Sequence, residues 1–121
     1  MVALGKLLFR VAAVTAAACI GSAHAQDYPS RPITVVVPFP GGGTTDLVPR
    51  ILQDGMAATL GQPLVIENRT GASGTPGSLS VARAQPDGYT ILSTVAPTHS
   101  MNMFMQKNFP YDPVTSFTPV I

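Results

Sequence analysis

Cysteine occurs once in these 121 residues, at Cys19, and histidine twice, at His24 and His99. Cys19 and His24 both fall within the first 25 residues, so the rest of the chain carries no thiol and a single imidazole. A disulfide scaffold, a thiolate nucleophile and a Cys/His metal cluster are excluded from that remainder. Lysine is almost as scarce, with only Lys107 beyond residue 25. No lysine therefore follows a glycine loop as a Walker loop requires, and no G-x-S-x-G elbow is present. Charge of one sign is missing too. Without Lys6 and Arg10, the chain from Gln26 onward has five basic against six acidic side chains, a formal charge of −1. That balance gives no footing to a nucleic-acid or anionic-membrane surface.

A long apolar run is absent everywhere except at the start. There, Lys6 and Arg10 precede an uncharged stretch, 11–23, dominated by alanine, valine and isoleucine. The stretch is shorter than the ~20 residues of a spanning helix and has no polar face for a core helix. It ends in Ala23-His24-Ala25, the small-x-small pattern of a secretory signal peptide cleaved after Ala25. Acylation of Cys19, as in a lipoprotein, is the alternative, with Ala16 standing where a lipobox prefers leucine. Residues 26–121 are then expected to be exported and soluble.

All twelve prolines lie after Ala25 and punctuate that region without saturating it. Between them the order is strand, glycine loop, helix, repeated. Ile33-Thr34-Val35-Val36-Val37 is β-branched without alternation, as in a strand buried on both faces. After Pro38-Phe39-Pro40-Gly41-Gly42-Gly43, the residues Thr44, Thr45 and Asp46 offer N-caps to a helix. That helix carries Leu47, Ile51, Leu52, Met56 and Leu60 at three- and four-residue spacing and ends at Gly61. Pro49 places its start near Thr45 or Asp46, because proline is tolerated only in the first turn.

A second strand is expected over 63–67, then a glycine loop through Gly71, Gly74 and Gly77, a short helix begun by Pro76, and a third strand over 89–94. A short helix over 97–107 contains Met101, Met103 and Met105. Val120-Ile121 reads as the opening of a fourth strand, so the sequence is expected to be the N-terminal part of a longer protein. Alternating strands and helices imply an α/β fold, a parallel sheet with helices on both faces and right-handed crossovers. The loops after all three strands then share one edge, where ligands bind in such sheets.

Three consecutive glycines between a buried strand and a helix start leave backbone N–H groups uncovered, which favours an anion. The dinucleotide pattern G-x-G-x-x-G fails, because Asp46 stands at its third glycine and repels pyrophosphate. A carboxylate fits better. A plain tight turn remains open for this loop, as it does for the G-x-x-G-x-x-G spacing with Ser73 and Thr75. Glu67, Asn68 and Arg69 are expected to cap the second strand or pair locally, and Asp87-Gly88 to form a turn. His99, in Pro97-Thr98-His99-Ser100, sits at the same edge as the glycine loop, either in binding or as a surface histidine.

Several motifs occur in order: Tyr28-Pro29-Ser30-Arg31-Pro32-Ile33, Pro38-Phe39-Pro40-Gly41-Gly42 with Asp46, Glu67-Asn68-Arg69, Gly71-Ala72-Ser73-Gly74, Pro86-Asp87-Gly88-Tyr89 and Pro110-Tyr111-Asp112-Pro113. Together they resemble the Bug family, the periplasmic solute-binding receptors of tripartite tricarboxylate transporters. The resemblance implies a two-domain Venus-flytrap (type II) fold that closes on a small carboxylated solute. It implies that the loop of Phe39, Pro40, Gly41, Gly42, Gly43, Thr45 and Asp46 grips a carboxylate, and that Thr94, Thr98 and His99 line the cleft. It implies binding and not catalysis, no cofactor and no metal, a monomer, and membrane transporter subunits as transient partners. On this view residues 26–121 are the N-terminal part of the first domain. Thr70, Pro49 and Pro76 depart from the family pattern, while the binding loop is intact. A nucleotide-binding domain of a doubly wound enzyme, or a truncated remnant without activity, are the alternatives.

Overall fold

The computed structural model describes residues 27–120. The expected leader 1–25, the expected cleavage after Ala25 and Cys19 lie outside the described residues, as does Ile121.

Three parallel strands form the sheet: β1 (Ile33–Val37), β2 (Leu64–Asn68) and β3 (Thr90–Leu92), in the order β2-β1-β3. The expected central strand is β1. Ile33, Val35, Val36 and Val37 are buried, because neighbours flank β1 on both edges and helices cover it. Val35 stands opposite both Ile66 and Ile91. Strand β2 begins one residue later than expected. The Pro63 carbonyl accepts from Ile33 N–H at 3.0 Å, but proline has no N–H to return to the ladder. Strand β3 is shorter than expected, although Thr34 N–H donates to the Tyr89 carbonyl and Ser93 N–H to that of Val36, so pairing runs from 89 to 93. Val120 joins no strand and is exposed.

Helix α1 (Thr44–Leu60) connects β1 to β2 and packs on both; α2 (Thr75–Ala82) connects β2 to β3 and packs on β1 and β3. The chain moves to one side of β1 and then crosses to the other, so right-handed crossovers place the two helices on opposite faces. The reversal lies between β1 and β3, the switch point at which open α/β sheets form clefts.

The apolar spacing locates α1 correctly but not the face it buries. Asp46 and Pro49 are its buried residues and Gln53, Ala57 and Leu60 are half-buried, whereas Leu47, Ile51, Leu52 and Met56 are exposed. Two polar anchors turn the helix this way: Asp46, tied to the loop before it, and Gln53, whose Nε2 donates to the Leu64 carbonyl at 2.8 Å. Pro49 falls in the second turn, not the first, because the helix starts at Thr44. Its ring is buried toward the sheet and the Thr45 carbonyl loses its ordinary donor. Gly61 closes the helix in the left-handed conformation expected of it, φ 69°, donating to the Ala57 carbonyl at 2.9 Å.

Beyond β3 the expected single helix is a π-helical turn, Pro97–Met101, continued by a short α3 (Asn102–Met105). It rests on the second glycine loop, where Asn102 Nδ2 donates to the Ser73 carbonyl at 2.9 Å and Gln106 Nε2 to Thr75 Oγ1 at 2.9 Å. Among the described residues no helix is long and apolar enough to cross a membrane.

Candidate functional site

The loop from Phe39 to Asp46 leaves the carboxyl edge of β1 and turns directly into α1. Gly42 adopts φ +88°, which glycine takes without steric cost, and its N–H donates to Asp46 Oδ2 at 2.7 Å. Gly43 is the N-cap of α1, not Thr44, Thr45 or Asp46, and no side chain caps the helix. The first intrahelical bonds are those of Asp46 N–H and Leu47 N–H to the Gly43 carbonyl. The N–H groups of Gly43, Thr44 and Thr45 come before them and have no intrahelical acceptor. Gly41, Gly42, Gly43 and Thr44 are exposed and Thr45 half-buried, so this start faces solvent. Phe39 is half-buried and Pro40 exposed beside it.

Asp46 does not face that opening. Its carboxylate is 2% exposed and folded back, with Oδ2 accepting from Gly42 N–H and from Arg50 Nε at 2.8 Å, and Oδ1 accepting from Asn68 Nδ2 at 2.9 Å. Asn68 Nδ2 also donates to the Phe39 carbonyl at 2.9 Å, and Asn68 Oδ1 accepts from Arg50 Nη2 at 3.1 Å. Asn68, the last residue of β2, thus joins the glycine loop to the next strand. The Arg50 guanidinium, then the Gly42 N–H and the Asn68 amide, hold the Asp46 carboxyl far below the ordinary aspartate value, against the opposing pull of burial. Arg50 is correspondingly stabilised as a cation. This brace is a closed set, a buried anion with every partner supplied from within the loop's own surroundings.

The third loop reaches the same edge but turns its side chains elsewhere. Thr98 is buried with its methyl group on Gly74, where a Cβ would lie 2.9 Å away and the backbone has φ +85°. His99 is half-buried, its ring edge-on to Phe117 with centroids 5.1 Å apart, and Phe117 in turn meets Tyr111. His99 Nδ1 and Thr94 Oγ1 are buried and have no hydrogen-bond partner among the described residues. In the second loop Gly71, Ala72, Ser73 and Gly74 all have positive φ, a left-handed turn that aims α2. Neither Ser73 nor Thr75 caps that helix; its N-cap is Gly74. Among the described residues no group of three or more His, Cys, Asp or Glu side chains could hold a metal ion.

Residues 48–121, more than half of the chain, match the family model TctC, tripartite tricarboxylate transporter family receptor. The chain belongs to the TctC family. It is 44% identical over 106 residues to a UPF0065 protein of Bordetella pertussis, covering 88% of this chain and 33% of that one. It is 41% identical over 98 residues to protein BugT of the same organism, covering 79% and 30%. Among solved structures, it is similar to MatC of Rhodopseudomonas palustris with bound malate, with a TM-score of 0.73, 46% identity, and coverage of 77% of this chain and 32% of that one. A second R. palustris protein, solved with adipate, gives a TM-score of 0.75 at 42% identity, with coverage of 78% and 32%. This TctC-family chain spans about a third of the length of the curated relatives it matches.

Two residues of the brace around Asp46 escape the sequence, Arg50 and Asn68. Arg50 lies one helical turn after Asp46, and an Asp-to-Arg pair at that spacing is the only signal for it. Asn68 is 22 positions away and announces itself only through its place at the end of β2. Its neighbours do pair locally as expected, Arg69 Nη2 donating to Glu67 Oε2 at 2.7 Å.

Proposed function

We propose that this TctC-family chain is a periplasmic receptor segment that holds a carboxylate of a small solute at the start of α1. Gly41, Gly43, Thr44 and Thr45 supply backbone donors, Phe39 and Pro40 a stiff apolar wall, and Thr94 and His99 polar capacity across the edge. Thr98 and Asp46 serve by fixing the loops. The observation that carries this reading is the uncapped helix start, whose N–H groups and dipole face solvent while the one nearby acid is turned away and neutralised. The solved relatives named with malate and adipate support a dicarboxylate as the solute class.

On this proposal the leader 1–25 directs export with cleavage after Ala25, and residues 26–121 form part of the first lobe of a two-lobed receptor. A second lobe closes on the solute and membrane subunits of the transporter receive it. The receptor is a monomer and does no chemistry on its cargo. Adding malate, adipate or citrate to the purified receptor with both lobes present is expected to raise its unfolding temperature by mass action. At ~100 times the dissociation constant the gain is ~2.7 kcal/mol. The matching neutral amides should give no gain. A midpoint unmoved by any of the three acids would contradict the proposal.

A further inference from the structure

An acid in the first turn of a helix is ordinarily drawn to the free N–H groups and positive end of that same helix. Asp46, the third residue of α1, is such an acid, in the same first turn as the donors of Gly43, Thr44 and Thr45. Yet α1 has no side-chain cap: the Asp46 carboxylate accepts instead from Gly42 N–H just before the N-cap, from Arg50 Nε in the second turn and from Asn68 Nδ2 on β2. Of these three, Arg50 supplies the opposing charge and Asn68 the link to the sheet.

We propose that Arg50 and Asn68 are positioning residues that keep Asp46 from capping its own helix and so keep the helix start open to a solute carboxylate. This rests on the carboxylate-binding reading above. Without Arg50 the Asp46 carboxylate loses its counter-charge while remaining in a nearly inaccessible pocket, and the nearest compensation is the helix start. It then competes with the solute as a tethered anion, at an effective concentration of ~1 mM or more. Competition, not misfolding, is the expected cause of weakened binding.

The decisive experiment compares wild type, Arg50→Met, Asn68→Ala and Arg50→Met/Asp46→Asn by amide-resolved NMR, first without solute and then titrated with malate and adipate. Without solute, the Thr44 and Thr45 amides of Arg50→Met should move downfield and exchange more slowly, and the added Asp46→Asn change should reverse both effects. With dicarboxylate, Arg50→Met should bind ~10-fold more weakly, and the double variant should bind measurably more tightly than Arg50→Met. Asn68→Ala should shift the same amides by less, and it carries the test if Arg50→Met does not fold. A brace that is only structural predicts the opposite, a double variant no better than Arg50→Met. That outcome, or unchanged Thr44 and Thr45 amides in the single variants, overturns the proposal. If wild type binds neither acid, the carboxylate reading fails, while the solute-free amides still decide the positioning role.

Discussion

The two ends of the sheet each carry an arginine–aspartate pair at 2.8 Å, and the pairs differ in almost everything else. At the amino edge, Arg31 and Asp87 are 59% and 40% exposed; at the carboxyl edge, Arg50 is 44% exposed and Asp46 2%. Arg31 also lies 4.0 Å over the Tyr89 ring, Tyr28 meets Tyr89 edge-on, Tyr28 OH donates to the Gly88 carbonyl and Ser30 N–H to Tyr89 OH. That cluster consumes its donors and binds the segment before β1 to the turn before β3. The pair at the other edge fixes a loop in a shape that leaves donors unspent. Distance alone therefore says little about an ion pair; what the carboxylate holds besides the arginine decides whether the result is a clasp between segments or a brace inside one loop.

Removing what both ends share should have the largest effect. Val36 is fully buried in β1, and Val36→Ala is expected to cost about 2 kcal/mol, read by denaturant melts. Amide protection should fall at both edges alike. Asp46→Ala should come next, lowering the thermal midpoint severalfold more than Asp87→Ala does. It strands the Gly42 N–H and the Asn68 amide and leaves Arg50 without its anion. Equal losses in the two variants would abolish the distinction between the edges.

Acid should sharpen the contrast further. The folded chain keeps Asp46 ionised well below 3.8, the ordinary value at which the unfolded chain takes up its proton. As pH falls below that value the unfolded state gains protons first, so the contribution of Asp46 is complete at neutral pH and eroded by acid. The midpoint difference between wild type and Asp46→Asn should accordingly be full near neutrality and shrink as the pH is taken below 3.8. The smallest effect is expected from Asp87→Ala, about 0.5 kcal/mol in low salt, and less as added salt screens the exposed pair.

The order of elements was legible in the sequence because the signals are local. The unbroken β-branched run at 33–37 reports burial on both faces, and Gly61 and Pro76 mark helix ends through their own backbone constraints. The burial face of α1 was not legible. Leu47, Ile51, Leu52 and Met56 form the apolar stripe, and yet Asp46 and Gln53 fix the opposite face by hydrogen bonds to a loop and a strand. The glycine loop was legible as a strand-to-helix turn, but the brace on Asp46 was not, since Asn68 meets it only after β2 returns beside β1 to the carboxyl edge. Likewise the 94–99 segment is at the expected edge, whereas the packing of Thr98 on Gly74 and His99 on Phe117 depends on side-chain directions that no spacing encodes.

The central proposal is that a carboxylate is met at the start of α1 and not at the clasp of the opposite edge. Titrating the labelled chain with malate while following backbone amides tests it directly. Saturable shifts at Gly41, Gly43, Thr44 and Thr45, with Ser30, Arg31 and Gly88 unmoved, are the predicted result. Shifts confined to the amino edge, or saturation without movement in the glycine loop, would contradict it.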